Sequence, residues 1–239
     1  GIQKGAAGSK KVPQLIVWDW GWNDRYASDI IPKLPAGCAL MSVSEWVLEI
    51  ERGGVKNTIG EYSISAVGPG PRAKKHWALA KQHGLKTIAK IQAGNTWEIA
   101  SVPYIPAIEN VATHAANLRA EKVDGLMLGW TLGGYPSPNL EVVAAIGSNP
   151  DITPVAAMQK VAQQHFGKAA PAVVKAWQQF SKAFKEFPYH SATVYFAPLQ
   201  MGPANLIWKE PTGYAATMVG LPYDDVKKWI GNYPVVGFI

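Results

Sequence analysis

The chain has 239 residues, 48% hydrophobic and 17% charged, the proportions of a globular protein long enough to bury a sizeable core as one domain. No run of about 18 apolar residues occurs, so no membrane partner is expected. The net charge of +6 is dispersed over short groups, Lys10-Lys11, residues 72–75 and Lys227-Lys228, which read as solvated helix faces and not as a nucleic-acid footprint.

Residues 1–11, with three Gly and three Lys, read as a flexible lead-in. Apolar runs then alternate with helical stretches. Residues 15–20 read as a strand, 25–34 as a short helix closed by Pro35-Ala36-Gly37, and 39–44 as a second strand. After Gly53-Gly54, residues 62–67 read as a further strand candidate, ended by Gly68-Pro69-Gly70-Pro71. A helix over 72–83 stops at Gly84, a strand follows over 85–91, and a helix over 106–120 takes Pro106 in its first turn. The next strand, 125–132, runs into Gly133-Gly134-Tyr135-Pro136-Ser137-Pro138, with Asn139 placed as a helix cap.

From Thr153 the pattern turns helical over 154–166 and 169–187, with Val155, Met158, Val161 and Ala162 spaced for one apolar face, and a short helix is expected at 223–230. The expected fold is α/β: parallel strands joined by helical crossovers over 12–150, resembling half of a (β/α)8 TIM barrel, then a mostly helical extension over 151–239.

Ten tryptophans give the chain its most informative pattern, since several sit beside polar groups at strand ends, as in Trp18-Asp19-Trp20-Gly21-Trp22-Asn23-Asp24 and Asn95-Thr96-Trp97-Glu98. A pyranose offers C–H faces that stack on an indole and hydroxyls that need polar partners. In parallel α/β folds the ligand site lies beyond the carboxyl ends of the strands. Trp20, Trp22, Asn23, Asp24, Tyr62, Lys90, Gln92, Asn95, Trp97, Trp130 and Tyr135 are therefore candidate sugar-binding residues. Alternation puts Ile88, Lys90 and Gln92 on one face of their strand, and two polar side chains there fit the mouth of a barrel better than the underside of a helix.

Glycoside hydrolysis needs two carboxyl groups flanking the scissile bond. Glu98, Glu45, Asp19 and Glu61 are the candidates, and Glu98 beside Trp97 and Glu45 beside Trp46 are placed for the acid role, because a desolvated carboxyl holds its proton. For each Glu taken alone, a surface cap or ion pair is the competing role. Gly68-Pro69-Gly70-Pro71 is not a phosphate loop, because its prolines remove amide donors. No Gly-x-Ser-x-Gly elbow is present. Cys38 is the single cysteine, which leaves no internal disulfide or cysteine-built zinc site, and the five histidines lack ligand spacing, so neither a metal nor another cofactor is expected.

Asp19-Trp20-Gly21-Trp22, Gly60-Glu61-Tyr62-Ser63-Ile64-Ser65, Asn95-Thr96-Trp97-Glu98 and residues 129–139 together resemble the carboxyl-terminal half of a (β/α)8 glycoside-hydrolase-like protein, similar to the hexosaminidase-like bacterial barrels of glycoside hydrolase family 20. The resemblance implies a carbohydrate ligand and a barrel-mouth site. That family's adjacent Asp-Glu pair has no counterpart in this chain. A closed barrel needs about eight strands and four or five are read here, so the remainder is expected from a missing amino-terminal half, from a second chain, or not at all if the sheet is open. The expected function is a carbohydrate-active protein, a glycoside hydrolase or its carboxyl-terminal half. The alternatives are a non-catalytic glycan-binding module and an interaction subunit that completes a larger barrel.

Overall fold

A computed structural model describes residues 1–10, 13–130, 132–196, 227 and 230–235. The helix expected over 223–230 falls almost wholly outside these residues, as do Lys11, Val12, Lys228 and Thr131. The chain is α/β, built on a four-stranded parallel sheet. Its strands are β1 (Ile16–Trp18), β2 (Ala39–Val43), β5 (Lys86–Lys90) and β6 (Gly125–Met127), in the spatial order β1-β2-β5-β6. An antiparallel hairpin, β3 (Glu49–Arg52) and β4 (Val55–Thr58), stands apart from that sheet. The helices are α1 (Ile2–Gly5), α2 (Asp24–Ile30), α3 (Pro71–Gln82), α4 (Ile108–Ala120), α5 (Pro138–Ser148), α6 (Pro154–Phe166) and α7 (Ala170–Phe184).

Strand alternation decides what each face of the sheet does. Val17, Leu40, Ala89 and Ile91 point toward the helices. Val17 and Leu40 join Ile31, Cys38, Ala80 and Leu85 in one cluster, while Ala89 and Ile91 join Trp77 of α3 and Ile108, Val111 and Leu118 of α4 in the main core. Cys38 is thus an ordinary small core side chain. The residues of opposite parity, Ile16, Trp18, Ile88, Lys90 and Met127, belong to the other face. Lys90 lies on that face; Gln92, past the end of the strand, lines a cavity beside α4 with Asn110 and His114.

Helices α6 and α7 share the main core, because Ala157, Met158, Val161, Ala162, Val174 and Trp177 pack with the residues of α4 and α5. They form a layer over those helices. Val155 departs from the expected apolar face and is exposed; Ala157 takes the buried place beside Met158.

Several sequence expectations are corrected. The lead-in contains the single turn α1. The hairpin was not anticipated, although its turn is Gly53-Gly54 with φ of 53° and 76°, the left-handed pair that a two-residue hairpin turn requires. Residues 62–67 form a loop, because the N–H groups of Ile64 and Ser65 bond to the Glu98 carboxylate and that of Ala66 to Ser63 Oγ, where a strand would bond to a neighbour. Helix α4 starts at Ile108, after Pro106. Helix α5 starts at Pro138 with Ser137 in the cap position, so Asn139 is not the cap.

Candidate functional site

Beyond the carboxyl ends of the sheet, the four candidate carboxyl groups lie in four different environments. Asp19 has the parity of Val17 and turns toward the helices. Its carboxylate accepts from Ser42 Oγ at 2.7 Å, meets His76 Nδ1 at 2.6 Å and pairs with Arg72 Nη1 at 3.3 Å. Arg72, from the first turn of α3, also binds Asp24 through Nε at 2.8 Å, donates to the carbonyls of Asp19 and Trp22, and lies 4.5 Å from the centre of the Trp46 ring. This buried network ties the end of β1 to α3. Asn23 caps α2 by accepting from Arg25 N, and Trp22 packs against the cluster around Leu40. Asp19, Trp22, Asn23 and Asp24 thus hold the frame together.

Glu98 is equally committed. Only 1% exposed, it accepts from Ser63 Oγ at 2.6 Å, Ile64 N at 2.7 Å, Thr96 Oγ1 at 2.7 Å and, less closely, Ser65 N. Four donors on one buried carboxylate make it the post on which the loop 63–66 is hung. Trp97 beside it packs against a cluster of Ile50, Ile59, Ala66 and Tyr189 and lies edge-on to Tyr195 at 6.3 Å. Asn95 donates to the Val102 carbonyl and accepts from Thr96 N, and Asn139 donates to the carbonyls of Ala93 and Ile105.

Glu61 lies where aromatic surface is open. Its Oε1 accepts from Trp20 Nε1 at 2.6 Å. Partial burial raises its pKa, opposed by hydrogen bonds from Trp20 and Tyr195. Trp20 stacks at a tilt on Trp18 at 5.7 Å, Trp18 meets Trp130 edge-on at 5.9 Å, and Trp130 lies 6.5 Å from Tyr62. Trp20 is 45% exposed, Trp130 51% and Tyr135, on the same loop as Trp130, 60%. Lys90 is buried beneath, donating to the Gly129 carbonyl with its ammonium 5.8 Å from the Tyr62 ring. Burial lowers its pKa, opposed by Glu45.

The loop that carries Trp130 is fixed against the end of β5. A Cβ on Gly94 would lie 2.7 Å from the Gly133 carbonyl oxygen, and a Cβ on Gly133, at φ +78°, would lie 2.8 Å from Asn95 N. Only two glycines permit that approach.

Glu45 is buried, with Oε1 3.5 Å from His114 Nδ1, and Ser44 Oγ lies 2.8 Å from His114 Nε2. Burial raises the Glu45 pKa well above the ordinary carboxylate value, and the nearby Glu98 charge adds to the rise while Lys90 opposes it. Burial lowers His114 to about 3, so its imidazole is neutral. Gln92 lines the same region and is buried.

The structure therefore brings together Trp20, Glu61, Tyr62, Lys90 and Trp130, and the Glu45 charge raises the pKa of Tyr62 and opposes the fall at Lys90. It places Asp19, Trp22, Asn23, Asp24, Asn95, Trp97 and Glu98 in supporting roles. Sequence reading missed His76, Arg72 and His114. The available signal was a polar side chain on the inward face of an alanine-rich helix. Among the described residues no three His, Cys, Asp or Glu side chains group as metal ligands, and no helix is long and apolar enough to cross a membrane.

Comparison with protein-family models, curated proteins and solved structures gives no match for this chain.

Proposed function

We propose that this chain is a carbohydrate-active protein that holds a sugar on the aromatic face at the carboxyl end of its sheet, in half of a (β/α)8 layout of glycoside-hydrolase type. The observation that carries the reading is the joined set Trp20–Trp18–Trp130, half exposed at its two ends, with the Glu61 carboxylate bonded to Trp20. A platform of indoles with a carboxyl at its rim offers a pyranose both a stacking surface and an acceptor for its hydroxyls.

The sheet order supports the half-barrel layout. An open doubly wound sheet reverses its strand order at the ligand crevice, whereas β1-β2-β5-β6 advances in one direction with every pair parallel. A barrel would draw its other four strands from another stretch of polypeptide or from a second copy.

Hydrolysis is the second reading, favoured by the raised pKa values of Glu61 and Glu45. Asp19 is held by Arg72 and His76 through one oxygen and Glu98 accepts from four donors, which leaves Glu61, at the platform, as the carboxyl placed to meet a sugar. A screen of oligosaccharides by calorimetry, followed by aryl glycosides, tests both. Binding lost in Trp20→Ala and Trp130→Ala supports the sugar face, and turnover lost in Glu61→Gln with binding retained supports hydrolysis.

A further inference from the structure

Between the ends of β2 and β5, helix α4 and the loop 63–66 lies a cavity whose polar lining is Glu45, Ser63, Gln92, Asn110 and His114. About 10 Å³ is open there to the centre of a water-sized sphere, enough for one water molecule and for nothing larger. Four buried atoms of this lining make no hydrogen bond to another part of the protein: Glu45 Oε2, Gln92 Nε2, Gln92 Oε1 and Asn110 Oδ1. The large majority of buried polar side-chain atoms find a hydrogen-bond partner, and of the thirteen among the described residues that find none within the protein, these four belong to three residues that share one small cavity.

The chemistry of the set selects its ligand. Gln92 brings both ends of its amide, so whichever way the amide is turned the ligand must accept one hydrogen bond and donate another. Asn110 has already spent its Nδ2 on the carbonyls of Ile64 and Ser181, which leaves Oδ1 as an acceptor. A bare cation accepts nothing and would face the Gln92 N–H. We infer that the cavity is the seat of one internal water molecule, hydrogen-bonded to Glu45, Gln92 and Asn110, which joins the ends of β2 and β5 to α4. The inference does not depend on the sugar platform, because none of Trp18, Trp20, Trp130 and Glu61 lines this cavity.

The test compares wild type with Gln92→Met, which keeps the length of the side chain and removes both amide atoms. Oxygen-17 magnetic relaxation dispersion should lose one long-lived water per molecule, and Tm should fall by about 2–6 °C, the response of a chain this size to a broken buried polar contact. An unchanged water count with a raised Tm would mean that the cavity is dry and the inference is wrong. A Tm that depends on sodium or potassium against choline would assign the cavity to a cation and also overturn it. Should Gln92→Met fail to fold, a high-resolution crystal structure of wild type decides: density at hydrogen-bond distance from Glu45, Gln92 and Asn110 supports the water, and none there refutes it.

Discussion

The indole Nε1 of Trp20 donates to the carboxylate of Glu61 at 2.6 Å, joining the end of the first strand to a loop 41 residues further along the chain. That bond fixes the ring of an exposed tryptophan, and a fixed ring loses less entropy when a ligand stacks on it. Glu61→Gln keeps an acceptor for the indole, whereas Glu61→Ala removes it. Sugar affinity is accordingly expected to change by less than about threefold in Glu61→Gln and to fall about five- to tenfold in Glu61→Ala, measured by calorimetry with any sugar that wild type binds.

Glu98 is expected to matter for folding more than for chemistry. Its carboxylate accepts from two hydroxyls and two backbone N–H groups, and an amide would turn a donor toward some of them. Hydrogen bonds to a charged group contribute about 1.5–3 kcal/mol. Glu98→Gln should therefore lower unfolding stability in urea by about 3 kcal/mol and loosen the loop 63–66, seen as faster amide exchange of Ile64 and Ser65.

Much of this arrangement is legible in the sequence once alternation is carried past the strand ends. Val17 and Asp19 share a parity, so Asp19 belongs under the helices with the core, while Trp18 and Trp20 belong together on the other face. Grouping all strand-end polar residues into one site loses that distinction. The main strands and helices α3 to α7 were readable because their apolar periodicity is strong. The hairpin was not, because Glu49, Glu51, Lys56 and Asn57 give it little apolar character outside Ile50 and Val55. Of the four donors to Glu98 only Thr96 is local, and the other three, which make it a loop anchor, stand 33 to 35 residues earlier.

Two buried groups give stability opposite pH dependences. Burial holds His114 at about 3 against its ordinary 6.5, so between those values the unfolded chain takes up a proton that the folded one refuses. Stability should fall on acidification from pH 6.5 toward 3, by on the order of 5 kcal/mol at full extent. Glu45 is raised instead, so its contribution is fully present below its ordinary 4.5 and is lost as the pH rises above that. Relative to wild type, His114→Gln should flatten the acid slope, and Glu45→Gln should gain stability as the pH rises above 4.5. Urea midpoints from pH 3 to 8 check both.

The close approach of Gly94 and Gly133 sets the position of Trp130. Gly94→Ala places a methyl 2.7 Å from a backbone carbonyl, and neither partner is a flexible side chain. A loss of about 1–3 kcal/mol is expected, with sugar affinity reduced through displacement of the Trp130 loop. A crystal structure of the variant showing that loop unmoved would contradict this.

The most direct test is calorimetric titration of an oligosaccharide panel into wild type and into the double variant Trp20→Ala, Trp130→Ala, with circular dichroism to show that both are folded. At least one sugar should bind wild type with a Kd of about 1 mM or tighter, near −4 kcal/mol, and the folded double variant should bind it at least about tenfold more weakly. A panel with no binder, or a double variant that binds as wild type does, would contradict a sugar face at the carboxyl end of this sheet.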